Sequence, residues 1–309
     1  MSGASSTRRK RFARSALPHL RLTPDDIAII RHVARHRFLR STHVARLLSH
    51  RPAKKLVERM GQLYHAGYLD RPRAQLDYYD RAGSAPMVYA PGDRSNEVIS
   101  EISRVDWRDK NRQARRPYIE HTLAIADVMV AFELSARRRK DLELLDEQAL
   151  LALQNERRAG ARWSMSADVR ANGQQHRISI VPDAVFAFRF TTFGRIAYFF
   201  LEVDRGTMAI NSADLSKSSY RRKLLGYHAA LKAGQHAERF GFQNARVLTV
   251  TTGEERVQSM IDVVDTITGR HATGRFLFST LEEVLATDPT TIQWLAQRSR
   301  VRIDVSPRL

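Results

Sequence analysis

Three acidic residues stand where strands should be burying carbon. The stretch "FFLEVDRGT" (199–207) sets Glu202 and Asp204 two positions apart behind Phe199, Phe200 and Leu201, and "VPDAV" sets Asp183 directly after Pro182. Residues i and i+2 of a strand share a face, so Glu202 and Asp204 point the same way. Pro182 cannot donate to a ladder and marks an edge or bend just before Asp183. A further supply of acids is the helix predicted from Pro117, "YIEHTLAIADVMVAFELSARR". Glu120 and Asp127 fall on one stripe of it with Ala124 and Ala131, whose small side chains permit close approach to a sheet. Oxygen ligands gathered without His or Cys suit Mg²⁺ or Mn²⁺, and such a site can activate water for phosphodiester cleavage. Ion pairing competes with this reading, because Arg205, Arg221, Arg222 and Lys223 lie near in sequence. Two acids on one strand face repel one another and require a cation, either a metal or a basic side chain.

The elements that must position these groups follow from composition and pattern. The chain has 309 residues, 43% of them hydrophobic, enough for one large domain or two modest ones. A net charge of +18 points to a polyanionic partner, nucleic acid before an anionic membrane surface. No apolar run reaches the roughly 18–20 residues of a spanning helix, and the basic start "MSGASSTRRKRFARSALPHL" has no apolar signal-peptide core. A mitochondrial presequence is disfavoured because the rest of the chain is equally Arg-rich. The absence of cysteine excludes disulfides and thiolate metal sites, and a bacterial cytoplasm is the expected setting, with no membrane partner.

Residues 1–20 are expected to be a disordered basic tail. Thr23 can cap a helix with Pro24 at its first position and Asp25 and Asp26 in its first turn. Two further helices are marked by Val44, Leu47 and Leu48 and by Leu56, Met60 and Leu63, and "LDYYDRAGSAPMVYAPG" is expected to give two short strands around a turn. Three helices and a hairpin form a winged helix-turn-helix pattern over 21–102. A basic connector is expected over 103–116, then an α/β (α+β) mixed-sheet domain over 117–309. Its strands are expected near 142–151, 177–188, 195–206, 245–252 and 275–280. Helices are expected near 214–240 and 255–268, with a short one at the end.

In a helix-turn-helix the last helix enters the major groove. Here "RPAKKLVERMGQLYHAG" offers Arg51, Lys54, Lys55, Arg59 and Gln62 around an apolar seam, and the wing offers Arg81. Lysine and arginine position the duplex, while Gln62 or Arg59 can read a base edge. A protein-binding winged helix with a solvated face is the competing reading, and the charge of the whole chain favours double-stranded DNA. Phosphate loops, a serine nucleophile elbow and the clustered HxH motif of a relaxase are all missing, which argues against NTPase, hydrolase and relaxase chemistry.

"VPDAV", "FFLEVDRGT" and a following helix with "KSSYRRKLLGYHAAL" together resemble the replication-relaxation family of plasmid and mobile-element proteins. The resemblance runs from about Leu22 to Thr252. It implies an N-terminal winged helix joined to a domain like the restriction-endonuclease-like PD-(D/E)xK nucleases, with Asp183 and Glu202 as its acids and Glu120 as a helical third. All three would be ligands of Mg²⁺ or Mn²⁺. The lysine that this pattern places two residues after Glu202 is replaced by Asp204, and Lys223 or Lys217 of the next helix is the candidate substitute. Tyr220, Lys223 and Tyr227 share a face of that helix. The function expected first is a DNA-binding accessory role in plasmid or mobile-element replication, relaxation or mobilisation, in company with replication or mobilisation proteins. The alternatives are an Mg-dependent endonuclease or nickase and a winged-helix transcriptional regulator.

Overall fold

The computed structural model describes residues 12–15, 20–75, 85–99, 105–154, 163–171, 173–269, 274–297 and 299–303. Packing divides the chain into two compact units, Met1–Val130 and Ala131–Leu309.

The first unit opens with helix α1 (Pro24–His36). Thr23 caps it, Pro24 stands in the first turn, and the Asp26 carboxylate accepts from the Thr23 backbone at 2.7 Å. Strand β1 (Leu39–Arg40) and helices α2 (Ser41–Leu47) and α3 (Ala53–His65) follow. Strands β2 (Leu69–Asp70) and β3 (Val88–Pro91) complete a three-stranded antiparallel sheet in the order β1-β3-β2. The helical order is as read. The strand expected across 76–80 and the turn residues through Ser84 lie outside the described residues, as does Arg81. Two other readings change. Within the expected disordered tail, Arg14 stacks over the Tyr64 ring at 4.8 Å and donates to Leu69 O at 3.2 Å. Within the expected connector, Trp107–Gln113 forms helix α4. It is fixed because buried Asn111 accepts from Arg37 at 2.6 Å and donates to Pro91 O at 2.9 Å, which its basic composition does not reveal.

Helix α5 (Arg116–Arg137) contains the division between the units. Asp127, read as a group aimed toward the sheet, is held within the first unit. It accepts from Arg40 Nη1 at 2.7 Å and bonds His43 Nε2 at 2.6 Å.

The second unit is built on a seven-stranded mixed sheet. In chain order its elements are β4 (Leu142–Leu145), α6 (Glu147–Ala152), β5 (Met165–Ala171), β6 (Gln174–Ile180), β7 (Ala184–Phe190) and β8 (Arg195–Val203). Then come α7 (Tyr220–Lys232), α8 (Gln235–Phe240), β9 (Ala245–Thr251), α9 (Glu254–Thr268), β10 (Phe276–Thr280), α10 (Leu281–Ala286), β11 (Trp294–Leu295) and β12 (Arg300–Val301). The sheet order is β12-β11-β10-β9-β8-β7-β4, with β8, β9 and β10 parallel and the outer strands antiparallel. This confirms the α/β class. Strand 142–151 stops at Leu145 because Asp146 caps a helix, accepting from Ala149 N at 2.9 Å. The helix read over 214–240 becomes two, since Ser219 caps α7 and Gly234, at φ +74°, interrupts the chain before α8. Among the described residues no helix is long and apolar enough to cross a membrane.

Each face of the sheet has its own core. On one, Phe132 of α5 meets Phe186 with ring centroids 5.0 Å apart and Trp294 at 6.1 Å, and Phe186 stacks on Phe199. On the other, Val185, Phe200 and Val247 pack with Leu224 and Tyr227 of α7, Met260 of α9 and the separate β5–β6 hairpin. That hairpin explains the role of Pro182: the chain leaves the two-stranded sheet at Ile180 and enters the large one at Ala184. Helix α7 lies so close to β6 that a Cβ on Gly226 would sit 2.8 Å from Ile178 Cγ2 and 2.9 Å from Ile180 Cδ1. Gly226→Ala should therefore lower stability by roughly 1–3 kcal/mol through overpacking, read by chemical denaturation. Ile180→Val placed on top should recover part of the loss. An unchanged midpoint in Gly226→Ala would refute the close approach.

Candidate functional site

The acids converge because β8 runs between β7 and β9, beneath α7. Phe200, Glu202 and Asp204 alternate onto the α7 face while Phe199 and Leu201 enter the opposite core. Asp183 immediately precedes β7. Its backbone N–H donates to Leu201 O at 3.0 Å, and its Oδ2 accepts from Val203 N at 2.8 Å. Asp183 therefore extends the β7–β8 pairing past Ala184↔Leu201 and brings its carboxylate beside Glu202.

Glu202 is only 3% exposed. Lys223 Nζ donates to its Oε2 and Tyr227 Oη to its Oε1, the latter at 2.7 Å. Both donors come from one face of α7, at the i, i+4 spacing read from sequence. The third residue of that face, Tyr220, bonds Thr249 Oγ1 at 2.6 Å, and Thr249 is the partner of Glu202 in the β8–β9 register. Lys223 is thus the lysine that reaches the acids. Lys217 lies exposed in the preceding loop, 3.7 Å from Asp214.

Asp204 takes a separate cation. Arg256 of α9 donates to Oδ1 through Nη2 at 2.9 Å, and Thr251 Oγ1 donates to Oδ2 at 2.6 Å. Arg256 also donates to Met208 O at 2.6 Å, fixing the loop after β8. Sequence reading missed Arg256 and Thr251. No local motif marks them, and only the parallel β8–β9–β10 topology brings them to Asp204. The repulsion between Glu202 and Asp204 is therefore answered by two basic side chains, one from each crossover helix. Glu120 belongs to the first unit, where it accepts from Arg116 Nε at 2.8 Å.

Burial and the neighbouring Asp183 carboxylate push Glu202 up to about 7, against the opposing pull of Lys223 and Tyr227. Burial alone would lower Lys223, but Glu202 and Asp183 outweigh it and hold its ammonium above the ordinary value. The acids add to burial in raising Glu202 and overcome it in raising Lys223. With Asp183, Glu202 and Lys223 all ionised the group carries one net negative charge, and a proton on Glu202 neutralises it. Burial would raise Asp204 as well, but its bonds to Arg256 and Thr251 prevail and hold it below the usual carboxylate range. Tyr227 is driven well above the ordinary phenol value by burial and by Glu202, and remains a donor.

The hard carboxylate oxygens match Mg²⁺ or Mn²⁺ in donor type. Protein donors compete with such an ion for these oxygens. Both Glu202 oxygens already accept from protein donors, Asp183 Oδ2 is committed to the backbone, and among the described residues no third His, Asp or Glu completes a ligand cluster with them.

The residues expected from sequence to meet DNA, in α3 and just before it, are partly engaged within the protein. Arg51 Nε donates to Asp25 at 2.6 Å, Arg59 Nε to buried Asp26 at 2.7 Å, and Gln62 Oε1 accepts from Arg59 at 2.7 Å. Together with the start of α1 they line a groove of about 520 Å³. Lys54 and Lys55 stay exposed, Lys55 lying 3.7 Å from Glu58.

The replication-relaxation family profile matches residues 30–245, more than two thirds of the chain. The chain belongs to the replication-relaxation family. Membership associates this replication-relaxation protein with the replication or relaxation of plasmids and mobile elements. No curated protein and no solved structure matches it.

The raised Glu202 value carries a stability signature. The folded state binds more protons than the unfolded chain between about 4.5, the ordinary glutamate value, and about 7. Stability from this group is therefore full below that window and is lost as pH rises through it. Denaturation of Glu202→Gln against wild type should show a wild-type decline of roughly 1–3 kcal/mol across the window that the variant lacks. Parallel pH profiles would refute the assignment.

Proposed function

We propose that this replication-relaxation protein is a DNA-binding accessory factor of plasmid or mobile-element replication, relaxation or mobilisation. Its first unit, read as a winged helix, would dock on double-stranded DNA, and its second, read as a PD-(D/E)xK nuclease-like domain, would serve as a non-cutting scaffold. The observation that carries the scaffold reading is the neutralisation of Glu202 and Asp204 by protein donors, Lys223 and Tyr227 on one, Arg256 and Thr251 on the other. The DNA reading draws on the net charge of +18 and on the exposed pair Lys54 and Lys55. Lysines of this kind bind phosphate without selecting sequence. Arg59, bonded to Asp26, and Gln62, bonded to Arg59, would set the orientation of α3 rather than read bases. Plasmid replication or mobilisation proteins are the expected protein partners.

A metal-dependent endonuclease is the second reading, favoured by the convergence of Asp183, Glu202 and Lys223. In that reading Lys223 stands in for the lysine replaced by Asp204. Supercoiled plasmid incubated with Mg²⁺ or Mn²⁺ separates the two. The scaffold reading expects intact plasmid. Cleavage by wild type that is abolished in both Asp183→Ala and Glu202→Ala would establish the nuclease instead.

Duplex binding is tested by gel shift across salt concentrations. Exchanging Lys54 and Lys55 for alanine should weaken binding to all sequences alike and reduce the salt slope by roughly 0.9 per lysine lost from a phosphate contact. Absence of wild-type binding to any duplex at low salt would overturn the DNA reading.

A further inference from the structure

One edge of the second unit carries groups that the carboxylate site does not use. Strands β7 and β8 are joined by a tight turn over Thr191–Gly194, closed by Gly194 N donating to Phe190 O at 2.8 Å and Phe193 N to the same oxygen at 3.1 Å. Gly194 takes φ +63°, which lets the chain reverse directly behind Phe193. Phe193 is 69% exposed, the highest value among the described large apolar side chains, and it stands at the tip of the hairpin.

The tip is held in place. Thr191 N donates to Asp141 O at 3.0 Å and its Oγ1 to Lys140 O at 3.1 Å. These bonds latch the hairpin to the loop that ends the run Arg137, Arg138, Arg139, Lys140. With Arg189 and Arg195 on the hairpin itself, six cations gather at this edge. Among the described residues Glu133 pairs with Arg137, Asp141 with Arg139, and Glu143 with Arg189 at 2.7 Å, and Arg138 lies close enough to Asp288 to help hold its carboxyl below the usual range. Arg138 donates to Leu134 O at 3.2 Å, at the carbonyl end of α5. Lys140 and Arg195 are exposed.

An exposed aromatic ring on an anchored turn, with cations alongside, matches what an unpaired nucleotide offers: a flat base face and a phosphate. An intact duplex keeps its base faces stacked and presents no such surface to a protruding ring. Stacking on one base contributes roughly 1–3 kcal/mol and tolerates any base. Cations beside the ring supply the salt-dependent backbone term.

We propose that the β7–β8 hairpin tip, with the Arg137–Lys140 loop, is a contact site for single-stranded DNA in which Phe193 stacks on an unpaired base. The proposal rests on the nucleic-acid reading above and adds a second contact, in the other unit and for a different form of DNA. Fluorescence anisotropy on the full chain tests it, with a labelled oligothymidine strand and a blunt duplex of equal length as probes. Phe193→Ala should weaken single-strand binding roughly tenfold or more while duplex binding changes less than twofold. Phe193→Trp should retain single-strand binding, and Arg138→Gln with Lys140→Gln should flatten its salt dependence.

Equal single-strand affinity of Phe193→Ala and wild type would overturn the hairpin site, as would equal losses on both probes. Phe193-dependent binding to anionic phosphatidylserine vesicles, with oligonucleotide binding untouched, would overturn it in favour of a membrane contact. Wild-type protein that binds neither probe at low salt removes the nucleic-acid reading as a whole. Wild-type duplex binding with a silent Phe193→Ala removes the hairpin proposal alone.

Discussion

A buried carboxylate must find partners or keep its proton, and Glu202 imposes that constraint on the second unit. It sits in the central strands of a seven-stranded sheet, 3% exposed, where an unpaired charge would cost several kcal/mol. The solution is geometric. Helix α7 approaches close enough to set Lys223 and Tyr227 on the two carboxylate oxygens, and Gly226 permits that approach by leaving room for Ile178 and Ile180. The position of the helix, the identity of the glycine and the protonation of the acid are one problem solved together. Asp204, less deeply placed, solves its own with Arg256.

The first unit shows the same economy in another form. Its charged residues mostly hold the fold. Arg59 satisfies buried Asp26, which also closes the capping box of α1, and Arg40 and His43 satisfy Asp127. A basic composition of this kind overstates the charge offered to a partner, because each inward-facing acid consumes an arginine. What α3 presents to solvent is the smaller set that includes Lys54 and Lys55.

Legibility in the sequence followed the range of the interactions. The start of α1 was readable to the residue because Thr23, Pro24 and Asp26 act within one turn. Strands β8, β9 and β10 were readable because central parallel strands are continuous apolar runs. Lys223 and Tyr227 were visible as a face of one helix, though not as the donors to Glu202. The β5–β6 hairpin was missed: Met165, Ala167 and Val169 alternate with polar residues but include little β-branched or aromatic bulk. The sequence pair Asn-Gly at 172–173, a common hairpin dipeptide, was a usable signal. Arg256 had none. Its tie to Asp204 spans 52 residues and exists only once the sheet order is known.

That separation bears on how the molecule assembles. Parallel strands cannot pair through a tight turn, so the β8–β9–β10 ladder requires two helical crossovers before it closes. Glu202 and Asp204 therefore meet Lys223 and Arg256 only when both crossover helices are in place.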